Sequence, residues 1–478
     1  MNRPATSGAS WIRWTVGLAA LAAVAVIVAA RSPSQDELEP CEIRGVAGPV
    51  DCGTISVPED RAAPDGRRIS INVVVLRATQ RTGEAPVFRF AGGPGAGSTS
   101  LARSTQGVVG AIRERRDVVL VDQRGTGRSN PLMCPSVDDG DPASAFGRVF
   151  DADEIRECRA RLATRANLSL YTTAHAIADI DDVRAFLGYD RVLLWGGSYG
   201  TRMAQAYARR YSDRVVAMVL DGVVPFGIAI PGTYAASAER SLTEVFADCR
   251  SRSACRASYP DLEARFADLE RRLDQGPLPA TVRTERGADV AVAMSLGDFG
   301  YALRGILYGA EAARELPPLI DAAARSGDVS AFAQRYWDRA AGLSGRVAVG
   351  MHLAVLCPED VDLIRDDQLE AMVGDSFMDR YLIDSYRGAC DAWDAAPVDP
   401  TFNEPLSSDV PTLLLSGFFD PVTPPAFGDR VASTLTDSRH IVVPDGGHGV
   451  AGRCAGPAVR HVLTTGTLAG LPSVCGAG

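Results

Sequence analysis

The sequence contains no lysine, since all 49 basic residues among its 478 are arginines. This absence excludes enzymes that depend on a lysine, among them Schiff-base enzymes, P-loop nucleotide hydrolases and hydrolases with a Ser–Lys pair. Runs of basic residues are also missing, and 59 acidic residues leave a net charge of −10. A chain of this charge is not expected to bind nucleic acid.

Histidine is scarce as well, with five residues in the chain, and no two cysteines have C-x-x-C spacing. Zinc sites are built from clusters of such residues, so no metal site is expected. The glycine-rich segments lack the G-x-G-x-x-G spacing and the acidic ribose ligand of a dinucleotide site. The sequence therefore predicts neither a metal site nor a bound cofactor.

The N-terminal segment has the pattern of an export signal. Residues 14–30 form an uncharged apolar run of 17, preceded by Arg3 and Arg13. A membrane-spanning helix needs about 20 apolar residues, and small residues suited to signal cleavage end this run. We interpret 1–35 as a signal peptide of a secreted, periplasmic or cell-envelope protein. The alternative is an uncleaved anchor, which would be the only membrane contact.

Ten cysteines form an even set that follows the chain in neighbouring couples. In an exported chain such a set predicts disulfides, and five sequential bridges are the simplest connectivity. The shortest loop, between Cys249 and Cys255, could instead hold two shielded thiols. The predicted couples are Cys41–Cys52, Cys134–Cys158, Cys249–Cys255, Cys357–Cys390 and Cys454–Cys475.

Short apolar runs alternate with helical patterns along much of the chain. Two extended stretches separated by the turn-rich segment 63–66 predict a hairpin, and later runs that each end in a turn predict parallel strands flanked by helices. The predicted strands are 53–58, 68–77, 86–91, 117–121, 191–195, 215–220, 411–415 and 440–443.

The pattern changes in 226–405, which is rich in Ala, Arg, Glu and Leu and has helical periodicity without a clear series of strands. We interpret this segment as a helical cap inserted before the last two strands. The flanking segments 41–225 and 406–478 then form the two parts of one core.

A G-x-S-x-G motif at 196–200 lies between an apolar strand and a helix. This context is typical of a sharp turn that exposes a nucleophilic serine, here Ser198, although the motif also arises by chance. The glycine-rich segment 92–97 ends an earlier strand. Backbone N–H groups of Gly93 and Tyr199 could then form an oxyanion hole, unless the segment is an ordinary loop.

Asp420 and His448 each follow a predicted strand near the C-terminus. The order Ser, Asp, His, each just after a strand, is that of the α/β-hydrolase fold. Ser198 would attack, His448 would take and return its proton, and Asp420 would orient the imidazole. The rival acid is Asp221, which ends the strand at 215–220.

Three segments, taken as a set, resemble the signatures of the prolyl aminopeptidases: 92–95, 122–129 and 196–201. Prolyl iminopeptidases usually have His and Trp where this chain has Ala91 and Tyr199. These departures, with the signal and the cysteines, look closer to the exported tripeptidyl aminopeptidase-like branch.

The resemblance covers roughly 41–478 and implies a helical cap over the active site of a serine peptidase. It leads us to expect an exported aminopeptidase that releases short peptides or amino acids from a free N-terminus through an acyl-enzyme on Ser198. The alternative is a secreted esterase or lipase with the same triad. A non-catalytic binding protein is disfavoured because all three triad positions hold competent residues.

An aminopeptidase must pair the buried α-amino cation of its substrate with carboxylates. Glu359 and Asp360 in the cap are the predicted partners, after an apolar helical run that we expect to stop at Pro358. The alternative is a solvated helix start, for which Pro-Glu-Asp is a common sequence. For Asp122 and Arg124, a structural turn is favoured over direct catalysis.

Overall fold

A nine-stranded sheet forms the centre of the computed structural model, which describes residues 37–80, 82–103, 106–134, 142–343, 345–473 and 475. The predicted signal segment 1–35 lies outside this range. All of the described residues belong to one structural unit. In this part of the chain, we find no helix with the length and apolarity needed to span a bilayer.

The strands follow the chain in this order: β1 (Glu37–Pro40), β2 (Val50–Pro58), β3 (Arg68–Leu76), β4 (Val87–Phe90), β5 (Val118–Val121), β6 (Val192–Gly197), β7 (Val215–Asp221), β8 (Leu278–Arg283), β9 (Asp289–Met294), β10 (Thr412–Gly417) and β11 (Ser438–Val443). In the large sheet they are arranged β1-β2-β3-β5-β4-β6-β7-β10-β11. From β5 to β11 every neighbouring pair is parallel, and β1 to β3 add an antiparallel edge that includes the predicted hairpin.

The α-helices are α1 (Gln106–Ile112), α2 (Pro142–Ala145), α3 (Ala152–Ala163), α4 (Thr173–Phe186), α5 (Tyr199–Arg210), α6 (Ile230–Ser251), α7 (Ser253–Ser258), α8 (Leu262–Asp274), α9 (Leu296–Leu307), α10 (Ala310–Ser326), α11 (Ser330–Leu343), α12 (Val349–Glu359), α13 (Leu369–Val373), α14 (Tyr381–Trp393), α15 (Pro425–Ala432) and α16 (Gly456–Thr465). Short 3₁₀ helices span Ser98–Ala102, Leu168–Leu170, Ser212–Arg214, Val361–Leu363, Asp366–Gln368 and Pro400–Asn403.

Apolar packing covers both faces of the sheet. Successive residues of β6 alternate between the two faces, so Leu193 and Leu194 belong to different hydrophobic clusters. One cluster includes buried residues of α4 and α5, and the other includes those of α1 and α16. Strands buried on both faces need continuous apolar sequence, which is why short runs such as Val118–Val121 could be recognised.

The predicted cap forms a helical layer between β7 and β10, with its own hydrophobic cluster. It also contains two strands that the sequence pattern did not reveal, because β8 and β9 pair as an antiparallel hairpin. Each has six residues, and one face of the hairpin is buried while the other is exposed. Such a short alternation is hard to distinguish from one side of an amphipathic helix. The short edge strand β1 was also not predicted.

All five predicted disulfides are present, so the sequential connectivity is confirmed. The six-residue separation of Cys249 and Cys255 does not prevent their bond. Cys357–Cys390 joins α12 to α14 within the cap. Every cysteine of the chain is accounted for by these five bonds.

The turn after β5 has the structural role that the sequence favoured. Asp122 accepts hydrogen bonds from Thr99 N at 2.9 Å and Arg128 N at 3.0 Å. Arg124 forms a bidentate pair with Asp179 and also donates to backbone carbonyls. Both side chains are fully buried, which confirms a structural turn.

Candidate active site

Ser198 lies in the turn between β6 and α5 with a left-handed backbone, φ 54° and ψ −127°. Non-glycine residues rarely adopt this conformation, and it is typical of strained functional turns. A side chain at Gly196 would lie 2.3 Å from the carbonyl oxygen of Gly200, and one at Gly200 would lie 2.5 Å from that of Phe90. The turn is therefore closed by contacts that only glycine permits on both sides of Ser198.

The glycine-rich segment after β4 lies against the serine. A Cβ at Gly92 would be 2.9 Å from Ser198 Cβ and 3.4 Å from its Oγ. Gly93 follows with φ 114°, and Tyr199 opens α5, where backbone N–H groups lack helical partners. Tyr199 thus follows Ser198 in sequence, and Gly93 follows the glycine that lies against Ser198. Their role as oxyanion donors remains a prediction.

Asp420 and His448 form a buried pair at the carboxyl ends of β10 and β11. His448 Nδ1 lies 2.8 Å from Asp420 Oδ2, and the Asp420 side chain is fully buried. Asp420 Oδ1 accepts from Val422 N and Thr423 N, each at 2.8 Å. Thr423 Oγ1 donates to Asp420 Oδ2 at 2.7 Å, so the carboxylate is held on both oxygens.

The pair shifts the pKa of both partners. Burial alone would lower the pKa of His448, but the charge and hydrogen bond of Asp420 raise it to about 9. Burial would raise the pKa of Asp420, yet His448 and the donors of Thr423 bring it below its ordinary value. An ionised aspartate beside the imidazole is the arrangement that stabilises an imidazolium during acyl transfer.

Asp221, the rival acid, has a different set of partners. Its side chain accepts from Val450 N at 2.8 Å and Ala451 N at 3.0 Å, in the loop that follows His448. Its backbone oxygen accepts from Ser198 N at 2.8 Å. Asp221 thus ties the serine turn to the histidine loop, while Asp420 contacts the imidazole itself.

The cap reaches the same site through α6 and α9. Arg240 of α6 donates to the carbonyl oxygens of Phe418 and Asp420, each at 2.8 Å. Tyr308, at the end of α9, accepts from His448 N at 2.7 Å through its backbone oxygen. Its ring packs edge-on against the imidazole, with centroids 5.1 Å apart. The cap therefore fixes the loops of both predicted partners of Ser198.

The two predicted amine-binding acids are fully buried. Asp360 forms a bidentate pair with Arg202, at 2.6 and 2.8 Å. Glu359 accepts from Thr173 N at 2.8 Å and Thr173 Oγ1 at 2.7 Å, and burial raises its pKa to about 7. The expectation that the helical run stops at Pro358 is wrong, because α12 continues to Glu359. The burial of both acids excludes the alternative of a solvated helix start.

Glu359 is connected to Tyr199, the residue after Ser198, by hydrogen bonds through Thr173. Thr173 Oγ1 and Tyr199 OH are 2.6 Å apart, and Tyr199 OH also accepts from Gln123 Nε2 at 3.1 Å. Glu359, Thr173 and Tyr199 therefore form one buried hydrogen-bonded chain that ends at the hydroxyl of the residue after Ser198. Asp360, whose charge is already balanced by Arg202, is the weaker candidate of the two acids.

The sequence interpretation missed Thr423 and Tyr308. Thr423 lies in the Asp-Pro-Val-Thr-Pro segment, where a threonine three residues after an aspartate could have signalled the turn that holds its carboxylate. No sequence signal pointed to Tyr308, since its contact with His448 joins segments 140 residues apart. Within the residues described, no cluster of His, Cys, Asp or Glu has the geometry for a metal ion.

Two family models match the chain. The alpha/beta hydrolase fold matches residues 86–297, and the TAP-like protein family matches residues 375–475. The first match includes Ser198, and the second includes Asp420 and His448. Together they cover the parallel strands of the sheet and much of the cap.

Three relatives differ in how much of the chain they cover. The serine protease Hip1 of Mycobacterium tuberculosis is 27% identical over 424 residues, 82% of this chain and 80% of the relative. Tripeptidyl aminopeptidase of Streptomyces lividans is 29% identical over 233 residues, 45% of this chain and 42% of the relative. Proline iminopeptidase of Neisseria gonorrhoeae is 32% identical over 138 residues, 29% of this chain and 32% of the relative. The chain therefore has the α/β-hydrolase fold and is a serine hydrolase, similar to a serine protease and to tripeptidyl and prolyl aminopeptidases.

Proposed function

We propose that this protein is an exported aminopeptidase that releases short peptides or amino acids from a free N-terminus through an acyl-enzyme on Ser198. The observation that carries the proposal is the buried Asp420–His448 pair at the same sheet edge as the strained serine turn. The serine protease and aminopeptidase names of the relatives support a peptide as the substrate.

In the proposed first step, His448 removes the proton of Ser198 Oγ as this oxygen attacks the scissile carbonyl. The N–H groups of Gly93 and Tyr199 stabilise the negative oxygen that forms. His448 then gives the proton to the departing amine, leaving the N-terminal fragment as an ester on Ser198. Asp420 stabilises the imidazolium throughout.

In the second step, water attacks the ester carbonyl after giving a proton to His448. Collapse of the intermediate returns that proton to Ser198 Oγ and releases the carboxylate product. Four proton transfers through His448 and two bond exchanges close the cycle, so the proposed chemistry uses no cofactor. The raised pKa of His448 gives the imidazolium extra stability in both intermediates.

For the substrate amine, we propose Glu359 as the partner. Hydrogen bonds through Thr173 connect it to the hydroxyl of Tyr199, the residue after Ser198, and these hydroxyls could turn from Glu359 when an ammonium arrives. With a pKa raised to about 7, Glu359 gains from such a cation, which would favour its ionised form. Asp360 then serves as the neutralising partner of Arg202.

Export is supported by the cysteines. All ten form disulfides, which persist in oxidising compartments outside the cytosol. Together with the apolar segment at 14–30, this favours a secreted or envelope-associated enzyme. Comparing the mass of the mature protein with that of the full chain would show whether 1–35 is removed.

One substrate panel tests the activity. Aminoacyl- and tripeptidyl-anilides are compared with their N-acetylated forms and with short acyl esters, using Ser198→Ala and the exposed cap variant Ser251→Ala as a matched control. We expect cleavage of the free-amine substrates, a large loss on N-acetylation and no effect of Ser251→Ala. Hydrolysis of the esters alone would instead identify a carboxylic-ester hydrolase.

Glu359 is tested with the same panel. Glu359→Gln should raise KM for free-amine substrates and leave ester hydrolysis unchanged, because esters carry no ammonium. Asp360→Asn should lower stability with both substrate classes affected alike. If Glu359→Gln also affects both classes alike, or neither, the amine site lies elsewhere in the cap.

A further inference from the structure

Two arginines of the cap lie near the site without an acidic partner. Arg304 of α9 is 4% exposed, and Arg339 follows on α11. The Nε atoms of both are buried and form no hydrogen bond. Within the described residues, neither guanidinium lies within 4.0 Å of a carboxylate. We refer to Arg304 and Arg339 as the cationic pair.

Aromatic rings place the cationic pair beside the predicted base. The guanidinium carbon of Arg339 lies 4.2 Å from the ring centroid of Tyr308, and that of Arg304 lies 5.4 Å from it. The ring of Tyr308 packs on His448 at 5.1 Å. One aromatic side chain therefore separates the two cations from the imidazole.

A second line of contacts connects Arg304 with the glycine-rich segment. Its guanidinium carbon lies 3.8 Å from the ring centroid of Tyr234, whose ring packs on Tyr386 at 6.4 Å. Tyr386 OH is 3.0 Å from His352 Nε2, and His352 Nδ1 is 2.9 Å from the carbonyl oxygen of Pro94. Arg304 thus belongs to an arc of cap side chains that begins at the oxyanion segment and ends at the histidine.

Two buried acids of the site, Asp360 and Asp420, already have charged partners. Asp360 is paired with Arg202 on both oxygens, and Asp420 with His448. Moving either acid towards the cationic pair would leave another buried charge without a partner. Neither Asp360 nor Asp420 is therefore available as an ion-pair partner for the cationic pair.

The pKa of Tyr308 is lowered by the positive charges around it. Burial would raise the pKa of its hydroxyl, but Arg304, Arg339 and His448 beside it lower the pKa to about 8. Stacking on aromatic faces stabilises a guanidinium, but it offsets only part of the cost of burying an unpaired charge. A ligand that carries the missing negative charge would account for the rest.

We propose that the cationic pair binds a carboxylate of the substrate, so that the enzyme prefers short peptides with a free C-terminal carboxylate or an acidic side chain. The planar guanidinium is suited to this group, because its N–H donors match the two oxygens of a carboxylate. The inference rests on the proposed peptidase function and adds a substrate class to it.

Two matched substrate series test the proposal and distinguish the sources of the carboxylate. One compares short free-amine peptides with a C-terminal carboxylate and with a C-terminal amide. The other compares glutamate with glutamine at each position of amidated peptides. In the wild type, we expect kcat/KM to be about 10- to 100-fold higher for the charged member of one series, mainly through KM.

The variants assign that preference to the pair. Arg304→Gln and Arg339→Gln should lower kcat/KM for the charged substrate towards the value for its neutral counterpart. Arg304→Lys should restore part of the difference in kcat/KM between the two substrates. The control is Arg335→Gln on the same helix as Arg339, whose side chain is half exposed and pairs with Glu315 at the surface. It removes the same charge and should leave both series unchanged.

Two results would overturn the proposal. The first is equal kcat/KM for charged and neutral members in the wild type, which needs no variant. The second is an equal loss with Arg335→Gln, which would indicate a general effect of cap charge.

A different result, the absence of cleavage of any free-amine peptide, would contradict the proposed peptidase function. The pair is then tested on monoesters of succinic acid against their methyl diesters. A preference for the monoester that Arg304→Gln abolishes supports the carboxylate site, and equal rates contradict it.

Discussion

The carboxyl edge of the sheet and the cap both contribute to the site, but they hold their residues in different ways. At the sheet edge, Ser198, Asp420 and His448 each lie just after a parallel strand. Their loops are held by nearby backbone groups, such as the N–H groups of Val422 and Thr423 on Asp420. These positions follow directly from strand register.

In the cap, the side chains near the site come from α6, α9, α11, α12 and α14. They meet through ring packing, guanidinium stacking and side-chain hydrogen bonds between distant segments, as between Tyr308 and His448. From this difference we infer two roles. The sheet edge holds the catalytic residues, and the cap selects the substrate. The following predictions test this division, beginning with the largest effect.

The first prediction concerns the sheet edge alone. Ser198→Ala or His448→Ala should each reduce kcat by about 10⁶-fold, and the double variant should be hardly worse, because triad members act as a unit. Thermal unfolding should change little. Initial rates on a reactive ester and on a peptide anilide measure the loss. Near-normal turnover by Ser198→Ala would contradict the serine mechanism.

The second prediction separates the two acids of the sheet edge. Asp420→Asn should lower kcat by about 10⁴-fold, because it removes the acceptor that orients the imidazole. Asp221→Asn should cost about 10- to 100-fold and lower Tm, since it weakens bonds to the loop after His448 without touching the ring. A larger loss of kcat with Asp221→Asn would reverse the assignment of the acid.

The third prediction concerns the cap disulfides. Replacing Cys357 and Cys390 by alanine should reduce the free energy of unfolding by about 3–4 kcal/mol, and replacing Cys249 and Cys255 by about 2 kcal/mol, because the longer loop constrains the unfolded chain more. Urea unfolding of both double variants measures the difference. Equal losses, or a larger loss for the shorter loop, would show that loop length does not set the contribution of these bonds.

The fourth prediction is a pH dependence set by the sheet edge. His448 acts as a base only when neutral, and its pKa is raised from 6.5 to about 9. The rate should therefore fall as the pH is lowered through a midpoint above 6.5. Asp420→Asn should move the midpoint of the residual activity down, because it removes the negative charge that favours the imidazolium.

Rates on a neutral ester across the pH range give both midpoints. Arg304→Gln should leave the wild-type midpoint almost unchanged if the cap only selects the substrate. An equal midpoint in the wild type and in Asp420→Asn would show that Asp420 does not set the pKa of His448.

Sequence patterns were sufficient to predict most of the sheet and the residues that follow its strands. Apolar runs buried on both faces leave a continuous signal, as in Val118–Val121, and Gly196 is required by its close approach to Gly200 in the same turn. The disulfide couples could also be read in order along the chain. These features depend on neighbours in sequence, so the sequence pattern contains them.

The partners of the cap residues, in contrast, are determined by the tertiary structure. Glu359 and Asp360 are adjacent in sequence, yet one meets Thr173 and the other Arg202, and neither is exposed. Arg304 and Arg339 look like surface cations of amphipathic helices until packing encloses them. Whether a charge is buried, paired or left for a ligand depends on contacts between distant segments, and local periodicity carries no record of those contacts.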